Sequence, residues 1–383
     1  MTAPTASLQA RVQALLARGA LEDAEALLQP LRAAGSGPIP LWHLLALVIR
    51  QQGRITEARA IQQMAVDAVP GDLAGRFALA ETLLLLGEFE RGWREYRYRY
   101  NLAHTTQLDR KVQRPPWEGE SIPGRTLLIH DEQGFGDTFQ FLRLVRWAKE
   151  RSGARIILEV NPETLKLAER SLDMLDGIVP RGQLPPAFDV HCQLMSLPLA
   201  LGLRLEDLPG PVPYLRPDEN RLKRWRKRLA ALPRPVVALA WAGRPAHHND
   251  ANRSLDLASL APLAAAKGSF VSIQKGPAAA QANTPPAGMA LTSLSDEIAD
   301  FDDTTAILCL ADLLISVDSA PAHLAGALGR PAWVMLPFVP DWRWLMDRDD
   351  TPWYPRHRLF RQPRRGDWGP VIAAMAAALR DIV

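Results

Sequence analysis

Asp318, Ser319 and His323 follow the apolar run "LLISV" (313–317) and enter the small-residue stretch "SAPAHLAGALG" (319–329). A strand closing on a carboxylate and a hydroxyl, then a helix with Pro321 in its first turn, is a place where backbone amides can meet a ligand. The amides near Ala320 and Ala322 and the positive end of the helix macrodipole suit a pyrophosphate. Asp318 repels phosphate and instead suits sugar hydroxyls or local N–H groups. His323 can donate to an anion or hold the loop, and Ser319 can act as N-cap. The competing reading is a cap network that binds nothing.

A second stretch, "LLIHDEQGFGDTFQFLR" (127–143), runs from an apolar strand through Gly134 and Gly136 to an apolar-periodic helix. Glycines there let a ligand approach the backbone. A dinucleotide fingerprint needs a third small residue, and this chain has Phe139; Glu159, at the end of the next strand, is the acidic partner such a site would use. The missing third small residue and the two-half layout nevertheless weigh against a dehydrogenase or methyltransferase. Asp137 can serve as a general base toward an incoming hydroxyl, or can simply cap its helix.

Three further stretches carry candidates. "WAGRPAHHNDANRSLDL" (241–257) gathers Arg244, His248, Asn249 and Arg253 after an apolar strand, which suits an acceptor or phosphate loop. A metal site is disfavoured because adjacent histidines point apart. "SIQKG" (272–276) puts Lys275 beyond a strand end, where a cation could neutralise phosphate or only snorkel to solvent. "LPFVPDWRWLMDRDDTPWYP" (336–355) sets Trp342, Trp344 and Trp353 among Asp341, Arg343 and Asp347. Trp342 can stack on a base or sugar at a cleft rim, and domain packing explains the cluster equally well.

Positioning these residues requires three modules. Gly19, Gly53 and Gly87 recur every 34 residues, as do Ala24, Ala58 and Gly92. That period predicts helical hairpins over 1–113, matching a tetratricopeptide pattern in Trp42, Leu45, Ala46, Gly53, Ala58, Ala65 and Pro70, with Gln62 where an aromatic is usual. "RPPWEGESIPG" (114–124) reads as a linker. Short apolar runs at 125–131, 154–160, 188–192, 235–241, 269–274, 313–317 and 331–336 alternate with helical patterns and predict parallel sheets. The proline-rich 209–219 divides them into an N-terminal half (114–215) and a C-terminal half (216–383). The expected class is α/β, two Rossmann-like halves preceded by an all-α repeat domain, with a ligand cleft between the halves.

The 383 residues are 47% hydrophobic and 23% charged, with a formal net charge of +3. A weakly positive balance gives little support to nucleic-acid binding, and "RLKRWRKRL" (221–229) reads as the outer face of an amphipathic helix. Two cysteines, Cys192 and Cys309, make neither a disulfide framework nor a four-ligand zinc site. The N-terminal residues do not read as a signal peptide and no apolar run reaches the ~20 residues of a membrane span, so a cytoplasmic setting is expected.

The pairing of "GFGD" (134–137) with "SVDSAPAHLAGALGRPAWV" (316–334) resembles the heptosyltransferase-type glycosyltransferases over roughly 125–365. That resemblance implies the glycosyltransferase B fold and a nucleotide-sugar co-substrate held mainly by the C-terminal half, with no metal or other cofactor. It implies Asp137 as acceptor-activating base, Asp318, Ser319, Ala320 and His323 in the donor loop, and Lys275 at the diphosphate. Repeats ahead of such a fold are similar in layout to O-GlcNAc transferases, which implies a protein or peptide acceptor reached through the repeat groove. The alternatives are a transferase acting on lipopolysaccharide or another glycan, and a non-catalytic repeat adaptor that keeps a nucleotide-sugar pocket.

Overall fold

The structure is a computed structural model that describes residues 3–101, 113–247 and 249–381. It divides into a helical unit, residues 1–109 with 339–347, and an α/β unit, residues 110–338 with 348–383.

The helical unit contains three hairpins. They are α1 (Ala3–Ala17) with α2 (Leu21–Ala34), α3 (Ile39–Gln51) with α4 (Ile55–Ala68), and α5 (Leu73–Leu85) with α6 (Phe89–Tyr96). Each hairpin turns at a glycine in the left-handed region: Gly19 at φ +74°, Gly53 at +82° and Gly87 at +78°. The same bond closes each first helix, from Ala20 N to Leu15 O, Arg54 N to Ile49 O and Glu88 N to Leu83 O. This six-to-one pattern satisfies an otherwise orphaned carbonyl, and the left-handed residue that permits it is favoured as glycine. Ala24 and Ala58 are fully buried, and a Cβ on Gly92 would lie 2.6 Å from Leu84 Cδ2, so the helix crossings require small side chains. Gln62, also buried where an aromatic was the usual expectation, donates from Nε2 to Ala78 O at 3.2 Å.

Residues 339–347 contribute a short 3-10 turn, Trp342–Trp344, to this unit. The Trp342 ring meets Trp93 edge-on at 5.2 Å and Tyr96 at 5.9 Å. The expected C-terminal half is therefore interrupted, because this tryptophan-rich segment joins the core of the helical unit.

In the α/β unit, β1 (Thr126–His130), α7 (Phe135–Phe141), α8 (Arg143–Ser152), β2 (Arg155–Val160), α9 (Leu165–Ser171), β3 (Gly177–Pro180), β4 (Val190–Gln193) and α10 (Leu197–Leu201) build a first sheet and its helices. After α11 (Glu219–Leu229), a second series follows. Its members are β5 (Val236–Ala240), α12 (Asp250–Arg253), β6 (Ser269–Ser272), β7 (Leu291–Ser293), α13 (Phe301–Leu310), β8 (Leu313–Val317), α14 (Ala320–Ala327), β9 (Ala332–Leu336), β10 (His357–Arg361) and α15 (Gly369–Arg380).

The strands order as β3-β2-β1-β4 and as β10-β9-β8-β5-β6-β7, and the registered neighbours are parallel. Counted from its own first strand, the second sheet runs 3-2-1-4-5-6, the doubly wound order, and the first shows its opening four positions. Ligands in such sheets bind beyond the carboxyl ends of the strands where the order reverses. Those points are the β1 and β4 ends in one sheet and the β5 and β8 ends in the other.

The basic helix α11 differs from the simple solvated face expected of it. Trp225 and Leu229 are buried, while Arg221 and Arg224 pair with Asp303, and Arg228 pairs with Glu297. Asp303 is fully buried and also accepts from Trp225 Nε1 at 2.8 Å, so the cations answer a buried carboxylate on α13.

Gly19 tests the repeat turns cleanly, because a Cβ there would meet nothing within 4 Å. Gly19→Ala should cost about 1 kcal/mol through backbone conformation alone. A lowered urea midpoint for the helical signal checks this; an unchanged midpoint would contradict it.

Candidate functional site

The loop after β1 and the loop after β8 meet. A Cβ added at Gly136 would lie 2.9 Å from His323 Cδ2 and 3.6 Å from the Ala320 Cα. Phe135 and Phe139 of α7 pack edge-on against Phe301 at the start of α13, with centroids 4.8 and 4.9 Å apart. The helices that open beyond the carboxyl ends of β1 and β8 therefore start side by side. Phe139, fully buried in this contact, has a packing role where a dinucleotide fingerprint needs a small residue.

At the β8 end, Asp318 and His323 are both buried, with Asp318 Oδ1 3.7 Å from His323 Nε2. His323 Nδ1 shares a 2.9 Å hydrogen bond with the Tyr354 hydroxyl. The opposite edge of the imidazole consequently faces Asp318 and Gly136. Ser319 takes the N-cap position of α14, but its hydroxyl does not cap the helix; it reaches Val317 O at 3.3 Å and Ser316 Oγ at 3.2 Å. The extended backbone at Ser319 lets the hydroxyl fold back on the strand end, so the Ser319 side chain does not close the N-terminus of α14.

The loop after β5 reaches the same place through Arg253, whose Nη1 donates to Asp318 O at 2.8 Å while Nε faces Asp250 Oδ1 at 3.3 Å. Gly243 admits this guanidinium, since a Cβ there would lie 2.7 Å from Arg253 Nη2. Gln274 was not selected from sequence, yet it fixes that loop. Its buried amide accepts from Trp241 N and Ala242 N, both at 2.9 Å, and donates to Ala242 O at 3.0 Å.

Asp137 is half-buried in the first turn of α7, and its Oδ2 accepts from Gly134 N at 3.0 Å. It therefore performs the capping that the sequence offered as its other role, with Oδ1 as the second carboxylate oxygen. Behind it, Asp131 is buried and ties three loops together. It accepts from Thr138 Oγ1 at 3.3 Å and Asn161 N at 2.7 Å, and pairs with Arg181 at 3.3 Å. Burial pushes the Asp131 carboxyl above its ordinary range, against the opposing pull of the Asn161 amide and Arg181.

Gly134, Gly136, Asp137, Arg253, Asp318, Ser319, Ala320 and His323 thus belong to one neighbourhood. Trp342 is buried within the helical unit against Trp93 and Tyr96, so its ring is engaged in packing there and the donor-stacking expectation is corrected to a packing role. Lys275 is exposed, and its Nζ donates to Ser295 O at 2.8 Å and Ile298 O at 3.0 Å. Two of its three donors are thereby committed to holding a loop. Arg244 is exposed, Asn249 accepts from Asn252 Nδ2 at 2.6 Å, and His248 lies outside the described residues.

Among the described residues, no three His, Cys, Asp or Glu side chains converge as a metal site, and no helix is long and apolar enough to cross a membrane. A cavity of about 230 Å³ opens elsewhere, beside the 209–216 crossing, walled by Trp147, Pro211, Pro213 and Tyr214. None of the residues selected from sequence lines it.

No family model matches the chain. Protein FlbA of Caulobacter vibrioides is 29% identical over 340 residues, which is 82% of this chain and 56% of that protein. The chain thus spans little more than half the length of this curated relative. Among solved structures, ADP-heptose LPS heptosyltransferase II of E. coli aligns at TM-score 0.49 and 15% identity, over 67% of this chain and 99% of its own. A family 9 glycosyltransferase of Veillonella parvula aligns at TM-score 0.47 and 10% identity, over 64% and 88%. A mutant O-GlcNAc transferase of Thermobaculum terrenum aligns at TM-score 0.30 and 13% identity, over 100% and 93%. All three are glycosyltransferases, matched at TM-scores below 0.5.

Under α14, His357 Nε2 donates to Ala322 O at 3.0 Å, and Nδ1 is buried with no hydrogen-bond partner among the described residues. Burial lowers its pKa from 6.5 to about 4. The unfolded chain therefore takes up this proton first. The stability contributed by the neutral ring is complete above about pH 6.5 and is lost as pH falls toward 4. Between pH 7.5 and 5, the wild type should lose about 2 kcal/mol more unfolding free energy than His357→Gln. Equal losses in denaturant titrations would contradict this assignment.

Proposed function

We propose that the chain is a glycosyltransferase that moves a sugar from a nucleotide-sugar donor to an acceptor hydroxyl or amide. The observation that carries this reading is the contact of Gly136 with His323 and Ala320, which sets the starts of α7 and α14 face to face beyond the carboxyl ends of β1 and β8. In this reading the α/β unit is a glycosyltransferase B fold and the hairpins are tetratricopeptide repeats. The start of α14, where the Ser319 hydroxyl turns away from the helix, receives the diphosphate, with Arg253 on Asp318 O as an adjacent cation. Asp318 and His323 address the sugar or the adjoining phosphate, and Lys275 supports them by holding the 295–298 loop.

The acceptor atom attacks the anomeric carbon as the bond from that carbon to the diphosphate oxygen breaks. The acceptor proton passes to Asp137, and the nucleoside diphosphate departs with the bonding electrons. Fixed donors at α14 act where negative charge grows on the leaving group, so the step does not call for a metal. The acceptor is a protein or peptide presented by the helical unit, which leaves Leu47 of α3 and Met64 of α4 exposed. A cytoplasmic setting fits such an acceptor and donor.

One observation favours a second reading, the non-catalytic adaptor. One oxygen of Asp137 already accepts from Gly134 N, so part of the carboxylate is engaged in holding the helix start. A thermal-shift series against UDP-, GDP-, ADP- and dTDP-sugars separates the readings from a protein with no such pocket. One base class should raise the melting temperature, by about 2.7 kcal/mol of stabilisation at a hundredfold excess over its Kd. Asp318→Ala should remove the shift. Asp137→Asn should keep the shift and abolish transfer to an acceptor. Binding without transfer by the wild type would establish the adaptor, and no shift with any donor would end both readings.

A further inference from the structure

We propose that Arg143 is a positioning residue that sets the orientation of His323 through Tyr354. Arg143 opens α8 and is 4% exposed, yet among the described residues no carboxylate lies within ion-pair distance of it. A buried cation without an anion is costly unless its donors are met in full. Arg143 makes four hydrogen bonds to oxygens from separate parts of the chain and lies against aromatic rings. Nε donates to Gln140 O at 3.1 Å, Nη1 to Pro209 O at 2.8 Å and to Trp353 O at 2.9 Å, and Nη2 to the Tyr214 hydroxyl at 3.0 Å. Its guanidinium carbon lies 4.6 Å from the Tyr214 ring centroid, 5.0 Å from Tyr354 and 5.6 Å from Trp353. Only a planar fork with five donors can bind several carbonyls and stack on rings at once, so lysine is not an equivalent.

These contacts join a helix of the first sheet, the 209–214 crossing and the 353–354 segment of the second sheet. The Tyr354 ring is held from its other side by Gly326 of α14, where a Cβ would lie 2.2 Å from the ring. With the ring so clamped, its hydroxyl reaches His323 Nδ1 at 2.9 Å and also hydrogen-bonds the Tyr214 side chain, which itself receives Arg143 Nη2. The far edge of the imidazole is thereby aimed at Asp318 and at Gly136. Arg143 therefore links the relation of the two sheets to the aim of one side chain. The consequence for ligand rests on the function proposed above, in which His323 faces the donor; the orientation itself does not.

Two measurements on the full chain keep these apart. Nitrogen-15 histidine spectra of the free protein report the His323 tautomer and its titration, with His323→Ala assigning the signal among the eight histidines. Arg143→Met and Tyr354→Phe should both move that signal, and Arg143→Lys should not restore it. An unmoved signal in a folded variant overturns the proposal. Tyr354→Phe leaves Arg143 intact and decides the same link should Arg143→Met fail to fold. Calorimetry with the donor class selected by thermal shift should then show affinity reduced about 10-fold in Arg143→Met, with no further loss when it is combined with His323→Ala. Additive losses would overturn the route through His323. A moved signal in a protein that binds no nucleotide sugar would uphold the positioning role and remove the transferase reading.

Discussion

The absence of a side chain at Gly136 is the constraint on which the α/β unit depends. The backbone of α7 comes close enough to His323 that even a methyl group would displace the imidazole, with Ala320 in contact beside it. Phe135 and Phe139 against Phe301 hold the helices at that spacing, and Arg143 with Tyr214 and Tyr354 holds the neighbouring crossing. Each contact is made by a residue that could not be exchanged for a larger or differently shaped one without opening the approach.

The polar groups at this junction follow a single logic. Loops beyond the strand ends are fixed by polar side chains on backbone groups: buried Asp131 beyond β1 takes Asn161 N, buried Gln274 beyond β6 takes Trp241 N and Ala242 N, and half-buried Arg253 from the β5 loop gives to Asp318 O. Such groups rigidify a site only when their hydrogen bonds are made, because a buried unmet donor or acceptor is expensive. At the start of α14 the N-cap hydroxyl of Ser319 turns to the strand end instead of the helix. A fixed surround about a helix terminus is an arrangement that suits an anionic ligand.

Much of this was legible in the sequence where the cause is local. The 34-residue recurrence of Gly19, Gly53 and Gly87 corresponds to three left-handed turns, because that conformation favours glycine wherever it occurs. Seven apolar runs became strands because both faces of a parallel sheet are covered. The three strands that escaped, β3, β7 and β10, all lie at sheet edges, where burial is partial and the apolar signal fades. The edge strand β4 was readable because Trp117 N reaches His191 O and buries its outer side. Trp342 was misplaced because an aromatic run reveals a need for burial but not which core supplies it. Arg143 and Tyr354 were missed because their partners lie far along the chain, Trp353 being 210 residues from Arg143. No window of sequence brings those together.

Amide hydrogen exchange of the full chain with and without nucleotide sugar interrogates the junction most directly. Slowed exchange at both 134–138 and 319–323 is the predicted result, since one ligand would bridge the two helix starts. Protection confined to the 209–216 crossing, or to neither segment while the donor is demonstrably bound, would contradict the account.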